Sequence, residues 1–428
     1  MTTVEVLIDE AGYTHLVGQA HFTRNRGQLS TTFLYDTAYL AGGGTNIDPA
    51  LLLVSGSQYQ NGLLRAFADS APDRWGRNLI EKAERTHARE EARTPRRLDD
   101  LDFLLGVSDD TRQGALRFRL PGHDDFLGRP SKVPRLVSLP ELLLASDQLA
   151  SSADHSSAVK QLLDTGTTGL GGARPKASVR FEDGGLGIAK FPHSSDRWDV
   201  MAWEATALDL LESTGIRTPR RRLTRVGDRS VLILRRFDRG DSGHRIAYIS
   251  TMTATGSTDG DHRDYAEIAE VMRDLSLSPR QDQHELYDRV VASVVLGNTD
   301  DHLRNHGFLA DRGHWTLSPA FDVNPNPDLQ KPSSTSIAGA DTYPEQIDGL
   351  AALASDCSLT VAQARERMGK IAASMLGWRD RARKNRISEQ EITMMAESIT
   401  PRLEAVATQA ARQCIPKRAS GSTSSRSS

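Results

Sequence analysis

Asp300-Asp-His-Leu-Arg-Asn305 puts a carboxylate five residues ahead of a carboxamide, and Asp322 ends the short run Leu317-Ser-Pro-Ala-Phe-Asp-Val323 seventeen residues further on. These residue types at this spacing suit phosphoryl transfer: one Asp orients the attacking hydroxyl, while an Asn and a second Asp hold Mg2+. The reaction needs such a grouping because nucleotide phosphates and Mg2+ together carry several full charges. Hard oxygen ligands must face the metal, and a carboxylate must face the acceptor hydroxyl. Taken alone, Asp300 to Asn305 reads equally well as a solvated loop behind a helix cap, since Asn, Thr and Asp are common turn residues. Upstream features decide between the two.

The Gly-rich segment Asp164-Thr-Gly-Thr-Thr-Gly-Leu-Gly-Gly-Ala-Arg-Pro-Lys176 runs into a hairpin of Ala177-Ser-Val-Arg-Phe181 and Leu186-Gly-Ile-Ala-Lys-Phe191. Glycines let backbone N–H groups approach phosphates; without further support the run would be a flexible linker. Here a strand follows at once and Lys190 sits on the returning strand, the order of phosphate loop and lysine in protein kinases. A strand lysine is otherwise most often an exposed edge residue. Glu204, fourteen residues on in a helix expected over 198–213, either pairs with Lys190 or is one more Glu on a solvated face. The apolar strand from Val231 ends in Arg235-Arg-Phe-Asp-Arg239, where a kinase hinge would hold a nucleobase between two lobes.

These side chains need elements to position them. Apolar residues at 290, 291, 294 and 295 keep helical spacing until Gly297 and Asn298 stop the helix. The whole of 264–296 reads as helical, and helices over 360–376 and 388–412 follow. Upstream, residues 4–8, 15–22 and 31–35 read as a meander of strands. A helical pattern over 62–88 breaks at Ala71-Pro-Asp73, and a short helix (98–105) and a strand (114–119) follow. This first unit, residues 1–120, carries no obvious chemistry of its own, and the Gly- and Pro-rich 121–134 reads as a linker. The expected fold is α+β and bilobal, protein-kinase-like, with a β-rich N-lobe over 135–240 and an all-helical C-lobe over 241–416. The Ser-rich tail, 417–428, is almost free of apolar residues and is expected to be disordered.

Composition narrows the function classes. A chain of 428 residues has ample length for two or three domains. No apolar run approaches the ~18 residues of a membrane span, and the N-terminus lacks the layout of a signal peptide. Cys357 and Cys414 give neither a disulfide framework nor a zinc spacing, so a cytoplasmic protein is expected. The net charge of −3 argues against a large nucleic-acid footprint on the chain as a whole, although basic runs stand at 217–225 and 379–386.

Taken together, these residues resemble the HipA family, the kinase component of bacterial toxin–antitoxin pairs. The likeness rests on Gly-Gly-Ala-Arg-Pro-Lys (171–176), Arg-Arg-Phe-Asp-Arg (235–239), Gly-Asn-Thr-Asp-Asp-His-Leu-Arg-Asn (297–305) and Leu-Ser-Pro-Ala-Phe-Asp-Val (317–323). Ala66-Phe-Ala-Asp-Ser-Ala-Pro-Asp-Arg-Trp75 and Gly114-Ala-Leu-Arg-Phe118 are similar to that family's first subdomain, so the likeness spans nearly everything but the tail. It implies a serine/threonine protein kinase using ATP and Mg2+, with Asp300 as base, Asn305 and Asp322 on the metal and Lys190 on the nucleotide. It further implies that Gly169, Gly171, Gly172, Ala173, Arg174 and Lys176 cover the phosphates, with Arg235, Arg236 and Phe237 beside the adenine. A protein substrate is implied, with translation components such as an aminoacyl-tRNA synthetase among those of the family. So are a small helix-turn-helix antitoxin of the HipB type and operator DNA reached mainly through it, with no membrane.

One departure stands out. Where the family often carries a regulatory serine in the phosphate loop, this chain has Gly169, with Thr167 and Thr168 as the nearest hydroxyls for autophosphorylation. Two other readings remain open: a small-molecule or phosphoinositide-like kinase, since Asp-x-His-x-x-Asn occurs there too, and a catalytically silent co-repressor or scaffold. His302 is expected to bond within the loop rather than act as a base.

Overall fold

The computed structural model describes residues 1–412 except 11, 129, 151–155, 168–173 and 312, so the tail expected to be disordered lies outside the described residues. Strands β1 (Thr2–Glu10), β2 (Tyr13–Asn25), β3 (Gln28–Tyr35), β4 (Gln58–Asn61) and β5 (Leu116–Arg119) form an antiparallel sheet in the order β4-β3-β2-β1-β5. Val4 and Val6 alternate inward, and a register shift at Val6/Leu7 then buries Leu7 and Ile8 together. The break expected at Ala71-Pro-Asp73 separates the helices Arg65–Asp69 and Arg74–Glu90.

A second sheet follows, with β6 (Lys176–Arg180), β7 (Leu186–Lys190), β8 (Arg221–Val226) and β9 (Arg229–Arg235) in the order β6-β7-β9-β8. The first unit is built into this lobe. Trp75 and Leu79 of the Arg74–Glu90 helix share one core with Leu142 and Leu149 of the Leu139–Ala150 helix, and with Val179, Ala189 and Val231 under the sheet. Strand β8 lies in the first of the basic runs: Arg221, Arg222 and Arg225 interleave with Leu223, Thr224 and Val226 on an edge strand, where charge blunts an open edge.

The C-lobe is helix-rich, but the expectation of an all-helical lobe needs correction. Strands β10 (Ala247–Ser250), β12 (Gly307–Asp311) and β13 (His314–Leu317) form a small antiparallel sheet, and the short β11 (Arg263–Asp264) and β14 (Thr335–Ser336) pair in parallel. The hairpin of β12 and β13 is what carries the chain from Asn305 to Asp322. The stretch 264–296 is also two helices, Tyr265–Leu275 and Pro279–Leu296, because Pro279 can start a helix but not continue one. The second of these buries 11 of its 18 residues and ends at Gly297 with φ +64, the left-handed cap that the sequence marks.

Candidate active site

Lys190 ends β7 opposite Lys176 on β6, so both ammonium groups enter one cleft beneath the sheet. Lys190 Nζ lies 2.6 Å from Glu204 Oε1 and 2.8 Å from Asp322 Oδ1. Glu204 arrives on the Val200–Thr214 helix and is 1 % exposed, so the pair is deep. Burial alone would lower the Lys190 pKa, but Asp322 and Glu204 outweigh it and hold the ammonium charged. Burial likewise opposes charge on Asp322, and Lys190 and Lys176 overturn it, leaving that carboxylate well below its ordinary range. Glu204 stays above its ordinary value because burial dominates the pull of Lys190. Lys176, desolvated and beside a second ammonium, is pushed down to about 8.

Asp322 holds φ +59, a region few non-glycine residues occupy, and such strain gathers at functional sites. Its loop is tied to the other acidic loop: the Asn324 N–H donates to Asn298 Oδ1 at 3.1 Å. In that second loop the Asn305 side-chain amide donates to the Asp300 carbonyl at 3.0 Å. This leaves the amide oxygen for a cation.

The two adjacent carboxylates, Asp300 and Asp301, part company. Asp301 is buried and accepts from Tyr265 Oη at 2.6 Å and Ser293 Oγ at 3.1 Å, with His306 Nε2 at 2.9 Å. Asp300 is exposed and stands outside the enclosed cleft. His302 does not bond within the loop through its ring, as expected of it; it is exposed on the cleft wall, and His306 anchors the loop instead. Arg304 is fixed by Asp259 at 2.8 and 2.9 Å, with Asp73 of the first unit 3.7 Å away.

The cleft encloses about 1020 Å³, counting its open mouth. Ile188, Leu234 and three aromatic rings line its inner end, where Phe237 lies 5.4 Å from Phe321 and 6.3 Å from Tyr248 between ring centroids. That is an apolar slot of the kind a planar base fills. Of the other expected nucleotide residues, Lys176, Arg235 and Arg236 also line the cleft. Arg235 reaches out to Asp183 in the β6–β7 turn. The Arg236 guanidinium is taken up by Asp238 and by the carbonyls of Thr111 and Arg112, so it braces the hinge against the first unit rather than facing a ligand. Arg174 pairs with Asp196 at 2.6 Å. Gly169, Gly171, Gly172, Ala173 and Thr168 lie outside the described residues. Thr167 is fully buried, its hydroxyl bonded to that of Thr165.

Nothing in the residue pattern of the first unit marks it as reaching the cleft. Asp69, Ala71, Asp73 and Gln113 all line it. Asp69 accepts from the Ser250 N–H and hydroxyl, both at 2.7 Å, and burial pushes it up to about 6. Trp75 Nε1 donates 3.0 Å to the Lys176 carbonyl, at the strand that follows the Gly-rich segment. Only the Pro-broken helix around Ala71-Pro-Asp73 hinted at a special backbone there.

Comparison with known proteins agrees with this arrangement. Residues 12–119 match the HipA N-terminal domain, and residues 168–378 match the HipA-like C-terminal domain. No curated protein sequence matches the chain. Among solved structures, the chain is similar to the HipA of Shewanella oneidensis MR-1, determined with HipB and operator DNA. The TM-score is 0.60 at 13% identity, over 95% of this chain and 96% of that one. A match to the Helicobacter pylori proinflammatory kinase CtkA, at 17% identity over 55% of this chain and 94% of that one, has a TM-score of 0.42, too low to argue from.

Proposed function

The chain belongs to the HipA family, and from that premise we propose that it is an ATP- and Mg2+-dependent kinase that phosphorylates a serine or threonine of a protein. The observation that carries the reading is the Lys190 ammonium held between Glu204, 14 residues on, and Asp322, 132 residues on, at one wall of a cleft with an aromatic inner end. Lys190 serves as the cation for the nucleotide phosphates, and Glu204 fixes where it points. Phe237, Tyr248 and Phe321 receive the base.

Asn305 and Asp322 fit a metal that arrives with its nucleotide. One amide oxygen and one ionised carboxylate make a hard but incomplete donor set, and Mg2+ is held by few protein oxygens together with phosphates and water. Among the described residues no cluster of three or more His, Cys, Asp and Glu offers a closed metal cage. Bound there, Mg2+ would neutralise charge on the transferring phosphoryl group. Asp300, exposed at the side of the cleft, takes the proton of the incoming hydroxyl, and its exposure suits an acceptor on a large partner. Asp301, buried and triply held, fixes the loop that presents it.

A HipB-like antitoxin is part of this proposal, supported by the Shewanella structure, which contains HipB and operator DNA. DNA would be reached mainly through that partner. No described helix is long and apolar enough to cross a membrane. The test is transfer from γ-labelled ATP to bacterial lysate proteins, followed by phosphoamino-acid analysis. Mg2+-dependent phosphoserine or phosphothreonine is expected. Label confined to lipid or small molecules would replace the protein acceptor, and ATP binding without transfer would point to a scaffold.

A further inference from the structure

Gln113 is pinned by its neighbours at the hinge end of the cleft. The carbonyls of Thr111 and Arg112 accept from Arg236, and the Gly114 N–H donates 2.8 Å to Asp238 Oδ2. A Cβ placed on Gly114 would stand 3.2 Å from the Tyr248 nitrogen, so backbone approaches backbone here at a distance that favours glycine. Residues on both sides of Gln113 are thus bonded to hinge residues 236 and 238. Gln113, half-buried, lines both the cleft and a smaller cavity beside Ile8 and Trp315, and its carboxamide makes no hydrogen bond among the described residues.

We propose that Gln113, supplied by the N-terminal unit, reads the edge of the nucleobase and makes the site selective for adenine over guanine. This rests on the nucleotide-binding reading above. A carboxamide offers a donor and an acceptor side by side, which matches the 6-amino group and N7 of adenine. Guanine presents an oxygen in place of that amine, so its corresponding edge offers two acceptors, and the Gln113 amide oxygen would face one of them unpaired. The aromatic slot supplies stacking, which does not distinguish the two purines; Gln113 supplies the discrimination.

The experiment compares wild type, Gln113→Leu and Gln113→Glu for Kd and KM with Mg-ATP and Mg-GTP. Wild type is expected to prefer ATP. Gln113→Leu should weaken ATP binding on the order of ten-fold, the loss falling on KM rather than kcat. GTP affinity, set by the same phosphate-binding groups, should hardly move, and so also reports that the variants are folded. Gln113→Glu, which loses the donor, should lose at least as much for ATP. An ATP:GTP ratio that is the same in wild type and Gln113→Leu would overturn the assignment while leaving the kinase reading intact. A wild-type chain that binds neither nucleotide would overturn both.

Discussion

Replacing Lys190 with methionine keeps most of the side-chain volume and removes one charge from a buried cluster. Glu204, 1 % exposed, is then left without its cation. Breaking a buried pair by removing one partner costs roughly 3–5 kcal/mol. The Asp322 contribution is smaller, because its side chain is 32% exposed and water screens it. The defect has a pH signature. Glu204 already titrates above its ordinary value, so the folded chain binds that proton more tightly than the unfolded chain does. Stability therefore falls as pH rises from the unfolded pKa to the folded one. Removing Lys190 extends this window upward, since nothing then offsets burial. The stability gap between wild type and Lys190→Met, measured as the shift in urea unfolding at a series of pH values, should widen as pH rises above the ordinary Glu range and narrow on acidification. A gap that stays constant or widens on acidification would refute the reasoning.

The same site yields further expectations. Lys176 loses its proton as pH rises through about 8, so KM for ATP should climb above that pH, and Lys176→Met should flatten the profile; binding assays across the range check both. Trp75→Phe removes the bond to the Lys176 carbonyl and should cost about 1–2 kcal/mol in thermal unfolding, with weaker ATP binding because that strand also carries Lys176. Gly297→Ala forces a Cβ to within 2.8 Å of Ser398 Oγ and 3.1 Å of the Asn326 carbonyl at a left-handed φ. It should cost roughly 1–2 kcal/mol or more and lower kcat through the displaced loop, as unfolding and turnover would report.

What the sequence revealed was chiefly local. Asp300, Asn305 and Asp322 lie on two loops joined by one hairpin, and Lys190 and Glu204 on consecutive elements, so their spacing survives folding and could be read directly. Contacts over longer separations left no such trace. Trp75 meets the Lys176 carbonyl across 101 positions, and Gly114 meets Asp238 across 124, so the share of the first unit in the cleft was not visible. Charge also concealed structure: β8 reads Arg-Arg-Leu-Thr-Arg-Val, with two adjacent arginines and no period-two alternation, so it looked like a basic run rather than a strand. At the hinge, the family resemblance put Arg235 to Phe237 beside the adenine; all three line the cleft, yet only the fold separates Phe237 from Arg236, whose guanidinium braces the hinge.

The most direct measurement pairs ATP binding with phosphoryl transfer in the wild type and in Asp300→Asn. Asp300 is exposed and outside the enclosed cleft, so the substitution should leave ATP affinity close to that of wild type while transfer to a protein hydroxyl falls by about 100-fold or more. Undiminished transfer in Asp300→Asn, or no transfer by the wild type in the presence of Mg2+, would contradict the account.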